Sequence, residues 1–168
     1  WESKPSERDQ SPPLFKPSSQ VQHKDGVARE HIAFAVPAPA ASDADSVSAD
    51  LLAAYLGAST NSRLFWSVIQ KGLADEASSD YYGFSYSGLF YVYLSVDPAN
   101  AAEVMDIVRG ELADLSDGID ADALNRTKTK AATSMVSSGQ HGLHRFSQIV
   151  GDLSTNTPLK SLDEQLAE

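Results

Sequence analysis

Cysteine is absent from this 168-residue sequence, which excludes disulfides and thiol chemistry and says little about compartment. No apolar run approaches the ~20 residues that a membrane-crossing helix needs. Basic residues are few: 13 Lys and Arg against 23 Asp and Glu give a net charge of -10. Phosphate contact needs a basic face, so this balance argues against a nucleic-acid binder. The acidity is spread along the chain and reads as a solvated surface. Also missing are a Gly-x-Ser-x-Gly elbow for a nucleophilic serine and a glycine-rich loop for phosphates. No internal repeat or long low-complexity block is visible.

What remains suits one domain with a core, at 42% hydrophobic residues. The first stretch, 1–19, stands apart: Pro5, Pro12, Pro13 and Pro17 lie among serines and charges, the composition of an extended arm or linker. The chain opens on Trp1 with no charged-then-apolar leader, and so reads as a processed piece. Its expected setting is bacterial cytoplasm or periplasm.

Along 20–168 the patterns alternate between strand and helix. Gln20–His23 can form a short strand before the turn Lys24-Asp25-Gly26, where glycine tolerates positive φ. His31–Val36 is nearly all apolar and stops at Pro37, as a buried strand would. Ser42 or Asp43 can cap a helix with Val47, Leu51, Ala54 and Tyr55 on one stripe, halted by Gly57. A shorter helix follows, with Leu64, Phe65, Val68 and Ile69 inward and Gly72 as its end. Ala74–Tyr82 is a weak strand and Leu89–Val96 a strong one, rich in aromatic and β-branched residues. Asp97-Pro98 reads as an N-cap with proline in the first turn of a helix that buries Ala101, Val104, Met105, Val108, Leu112 and Leu115. Gly110 inside that helix costs about 1 kcal/mol relative to alanine, which suggests close packing there. Another helix runs from Asp120 through Met135 to the break Gly139-Gln140-His141-Gly142, and Leu143, Phe146, Ile149, Val150 and Leu153 mark the next. The class is α+β, a mainly antiparallel sheet with helices on one face.

Candidate chemistry is thin. One family of zinc peptidases uses His-x-x-Glu-His, and here Glu30-His31 is preceded, at the position of the first histidine, by Val27. His141 and His144 are three apart, but Gly142 lies between them at a helix start, so capping or a surface role is the better reading. His23 and His31 flank a turn without a clear carboxylate partner. Asp75, Glu76 and Asp80 could do acid–base work, though a solvated strand edge explains them more simply. Arg126, Lys128 and Lys130 form a short basic helix face, suited to solvent or to a carboxylate partner. The aromatic cluster from Tyr81 to Tyr93 is the most unusual feature. Side chains alternate across a strand, so Tyr91 and Tyr93 share one face while Phe90, Val92 and Leu94 share the other. A tyrosine face left uncovered by helices would be a contact surface.

Four segments in order, beginning Glu30-His31-Ile32, Leu51-Leu52-Ala53, Gly88-Leu89-Phe90 and Gly118-Ile119-Asp120, resemble the C-terminal, non-catalytic half-domain of the pitrilysin-type zinc peptidases. That family includes insulin-degrading enzyme and the mitochondrial processing peptidase. The resemblance runs from about Val21 to the end. It implies a half that clamps a peptide against a catalytic half carrying His-x-x-Glu-His and the zinc, with no cofactor in this chain. Glu30-His31 would then open a strand and have nothing to do with zinc. After Ser62-Arg63-Leu64 the family continues with an arginine and a tyrosine that reach the peptide. Here the segment is one residue short, with Ile69 nearest the arginine and Asp75 nearest the tyrosine. Arg63, at a different position, is the substrate-contact candidate, against a role fixing the 59–61 loop through a local acid. The chain also stops before the final helix and strand of such a half-domain. The implied partners are the catalytic half-domain, a peptide substrate, and, lacking the former, a second copy of the chain meeting along Tyr91, Tyr93 and the Leu143–Leu153 helix. The alternative is a stand-alone binding or assembly module that keeps the fold without a peptidase role.

Overall fold

A computed structural model describes residues 11, 13–58, 60–155 and 157–167. Of the expected arm, residues 1–10 and 12 lie outside these, and 11 and 13–19 carry neither helix nor strand. Three strands form one antiparallel sheet: β1 (Glu30–Ala38), β2 (Ala74–Gly83) and β3 (Gly88–Val96), in the order β1-β3-β2. Residues 84–87 turn the β2–β3 hairpin, with the Phe84 N–H donating to Ser87 O at 2.8 Å. The described residues also form five helices: α1 (Ser46–Gly57), α2 (Ala101–Asp117), α3 (Ala121–Gly139), α4 (Gly142–Thr155) and α5 (Leu162–Leu166). Between α1 and β2 a π-helical turn spans Phe65–Ile69. The class is α+β, as the patterns imply.

The core lies on one side of the sheet. Val92, Leu94 and Val96 of β3 meet Leu56 of α1, Leu64 just before the π-helical turn and Val68 within it, and Val104 and Val108 of α2. Leu56, Leu64 and Leu94 are fully buried. Each such side chain contributes about 1.5–3 kcal/mol relative to exposure. Ile32 and Phe34 of β1 and Ala77 of β2 pack against the same cluster.

Several expectations change. No strand forms at Gln20–His23, because Val21 is exposed and nothing there has a surface to bury. β1 is an edge strand rather than a buried one, and it continues through Pro37 because proline's missing N–H is tolerated at an edge. α1 starts at Ser46, since Asp43 Oδ2 already accepts the Ala40 N–H at 2.8 Å in the preceding loop. Its buried side is Ala53, Tyr55, Leu56 and Gly57, so Val47 stays at the surface. Gly57 is the last residue of the helix and must be glycine because a Cβ there would stand 2.2 Å from the backbone nitrogen of Ser79. Asp97 and Pro98 form a turn ahead of α2, where Asp97 Oδ1 accepts the Ala99 N–H at 3.0 Å and Asn100 becomes the N-cap. Gly110 faces open space, so close packing does not explain it. Asp120 does cap α3, accepting from the N–H groups of Asp122 and Ala123.

Candidate functional site

Arg63 leaves the first helical turn before the π segment and reaches across to α2. Its Nε–H donates to Glu111 Oε2, and Nη2 donates to Asp114 Oδ2 at 3.0 Å. The Arg63 and Glu111 side chains are 25% and 18% exposed, a setting in which solvent screens the pair only in part. Burial alone would lower the Arg63 pKa, but the hydrogen bond and charge of Glu111, with Tyr55 adding to both, hold it above its ordinary value. The acids are distant in sequence, so the pair ties the 60–66 segment to α2. No sequence signal joined them.

Beside this pair opens a cleft of about 790 Å³ between α1 and α3. Tyr55, Asn61, Arg63 and Trp66 line one side, and Ala123, Arg126, Thr127 and Lys130 the other. Asn61 takes the left-handed conformation at φ 69°, one that asparagine adopts more readily than most residues. Trp66 is 54% exposed. Ile69 packs against the core and Asp75 is held by Arg29, so neither position nearest the family's peptide-contacting arginine and tyrosine presents that chemistry.

The second candidate surface is the sheet face away from the core. The register sets His31 beside Ser95, Ala33 beside Tyr93 and Ala35 beside Tyr91, with Ser78 and Asp80 on their other flank. Tyr93 Oη lies 2.7 Å from His31 Nδ1, and the rings stack. The Tyr91 O–H donates to Asp80 Oδ2 at 3.1 Å, and its ring stacks on Tyr82 with centroids 5.5 Å apart. Glu30-His31 thus opens a strand. Elsewhere, Leu143, Phe146, Val150 and Leu153 form an exposed apolar stripe along α4. The rings of His141 and His144 meet edge-on at 5.9 Å, and His141 Nδ1 sits 2.9 Å from Ser137 O at the end of α3. Among the described residues no group of three or more His, Cys, Asp or Glu could hold a metal ion. No described helix is long and apolar enough to cross a membrane.

The family model for the peptidase M16 inactive domain matches residues 1–131. The chain belongs to that family. Its fold is shared by a protease from Helicobacter pylori, at 21% identity and TM-score 0.74, over 86% of this chain and 38% of that one. A peptidase M16 inactive domain from Pseudomonas fluorescens gives 22% identity and TM-score 0.71, covering 84% of this chain and 34% of that one. An inactive peptidase domain from Bordetella parapertussis gives 18% identity and TM-score 0.66, over 77% of this chain and 72% of that one. The chain therefore spans well under half of the first two. No curated protein matches it by sequence. The pitrilysin-type resemblance agrees with this membership, and the M16 inactive domain is a half without catalytic machinery.

Proposed function

We propose that this chain is the non-catalytic half of a bipartite zinc metallopeptidase and helps enclose a peptide substrate. The observation that carries the reading is membership in the M16 inactive-domain family, matched over residues 1–131. The open cleft between α1 and α3 offers the peptide a place, bordered by an exposed tryptophan and by cations. Arg63 stands in its wall. A guanidinium has five N–H donors, and those not spent on Glu111 and Asp114 would take a peptide carbonyl. Zinc belongs to the separate catalytic half, which would meet this chain along the Tyr91 and Tyr93 face. Tyrosine suits that role, being large and apolar with a hydrogen-bonding tip.

The test is reconstitution. The chain is mixed with the His-x-x-Glu-His protein encoded upstream of it or beside it, and hydrolysis of a quenched fluorescent peptide is followed. Cleavage that needs both components, and is lost on chelating zinc, supports the clamp. A partner that cleaves equally well alone removes it and leaves the stand-alone module.

A further inference from the structure

The cleft is more selective than a neutral trough. Arg126 and Lys130 lie four residues apart on α3, so both point from one helix face, with Cβ atoms about 6 Å apart. Among the described residues neither forms an ion pair, even though Asp122 stands one helical turn before Arg126. Arg63, on the opposite wall, is already neutralised by Glu111 and Asp114. Among the described residues Asp120 is the acid lining the cleft, and its carboxylate accepts from the N–H groups of Asp122 and Ala123. A chain of net charge -10 has thus kept two cations without an ion pair along one wall of this cleft, across from the exposed indole of Trp66.

From this geometry we infer that the cleft takes an acidic peptide segment in extended form, with carboxylates two residues apart paired to Arg126 and Lys130. An extended chain rises about 3.3 Å per residue, so residues i and i+2 project from one face about 6.6 Å apart. That is close to the spacing of the two Cβ atoms, and the long side chains of Arg126 and Lys130 can take up the difference. The intervening side chain points the other way and leaves the acidic face to the helix. Trp66 gives an adjoining apolar side chain a surface to cover. The inference rests on the clamp reading and names the kind of peptide the clamp prefers.

Calorimetric titration of the full chain tests it with three short peptides: a capped one alternating Glu and Ala, its capped Gln twin, and a neutral one with a free C-terminal carboxylate. The Glu peptide should bind about tenfold tighter than the Gln twin at low salt, with the advantage fading as salt rises. Arg126→Gln with Lys130→Gln should erase the difference and leave thermal unfolding unchanged, since neither side chain has a partner to lose. Equal binding of the two capped peptides overturns the inference while sparing the clamp. So does a preference that survives the double substitution, or one that only the free C-terminus reproduces. Failure of every peptide to bind, at any salt, removes the inference together with the clamp's peptide-binding role.

Discussion

Arg29 holds Asp75 through two parallel contacts, Nε to Oδ2 at 2.6 Å and Nη2 to Oδ1 at 3.2 Å. Its third arm, Nη1, reaches Asp97 Oδ2 at 3.2 Å. Asp75 is the extra residue of a β-bulge, where Ala74 pairs with Val96 but Glu76 already pairs with Ser95. One guanidinium therefore gathers the start of β1, the bulge of β2 and the end of β3. A bulge re-aims the side chains that follow it, so this corner helps set the register that sends Ser79 toward α1 and Asp80 toward Tyr91.

The three side chains of this corner are 43–54% exposed, which limits its energetic weight. Arg29→Ala should cost no more than about 1 kcal/mol in urea unfolding at low salt, and less at high salt. A salt-independent loss would mean that packing of the arginine stem, rather than charge, secures the corner.

Arg63 behaves differently because its partner Glu111 is mostly buried. Arg63→Ala should destabilise by about 2 kcal/mol, chiefly through the uncompensated Glu111 carboxylate. Glu111→Gln in the same background should recover part of that loss, since an amide is cheaper to bury than a lone charge. Denaturant midpoints for the single and double variants check this. If the second substitution recovers nothing, desolvation of Glu111 is not the cause.

Much of the fold is legible from the chain alone. The alternation of Phe90, Val92 and Leu94 with Tyr91 and Tyr93 divides β3 into a core face and a polar face, as the buried cluster bears out. Asp120 announces the start of α3, and Leu64 and Val68 announce an inward stripe. Elsewhere, tertiary partners decide. Asp43 looks like a helix cap until the Ala40 N–H claims it, and Gly57 looks like a terminator although the nearness of Ser79 requires it. The cleft was legible only in part. The basic face at Arg126 and Lys130 suggests a carboxylate partner, but its position opposite Trp66 depends on how α1 packs against α3, which no local spacing encodes.

Gly57 in α1 and Gly110 in α2 should respond in opposite directions. Gly57→Ala puts a methyl 2.2 Å from a backbone nitrogen and 2.4 Å from Ser79 Oγ, forcing α1 away from β2. A loss of about 2–3 kcal/mol is expected, with broken contact to Ser79. Gly110→Ala adds its methyl into open space within a regular helix, so a gain of about 1 kcal/mol is expected. Thermal unfolding of the two variants beside the parent decides the matter. A destabilised Gly110→Ala would mean that this position is packed in solution, a second copy of the chain being the simplest neighbour.

Tyr91 makes the sheet face sensitive to alkaline conditions. Hydrogen bonds with Tyr82 and with Asp80 push its pKa well above the ordinary value of 10.0. In the unfolded chain the phenol would lose its proton near that value, whereas in the fold it keeps it. The stabilisation is therefore fully present below about pH 10 and is lost as pH climbs from there toward the raised pKa. Ultraviolet titration should find a late-ionising signal, to which Tyr81, raised mainly by burial, also contributes, and Tyr91→Phe should remove the Tyr91 share. The same substitution should flatten the fall in stability above about pH 10. Asp80→Asn separates the causes: it removes the carboxylate's charge but keeps an acceptor oxygen, so the Tyr91 phenol should ionise earlier than in the parent. If that phenol stays late in Asp80→Asn, the contact with Tyr82 rather than the charge of Asp80 holds the proton.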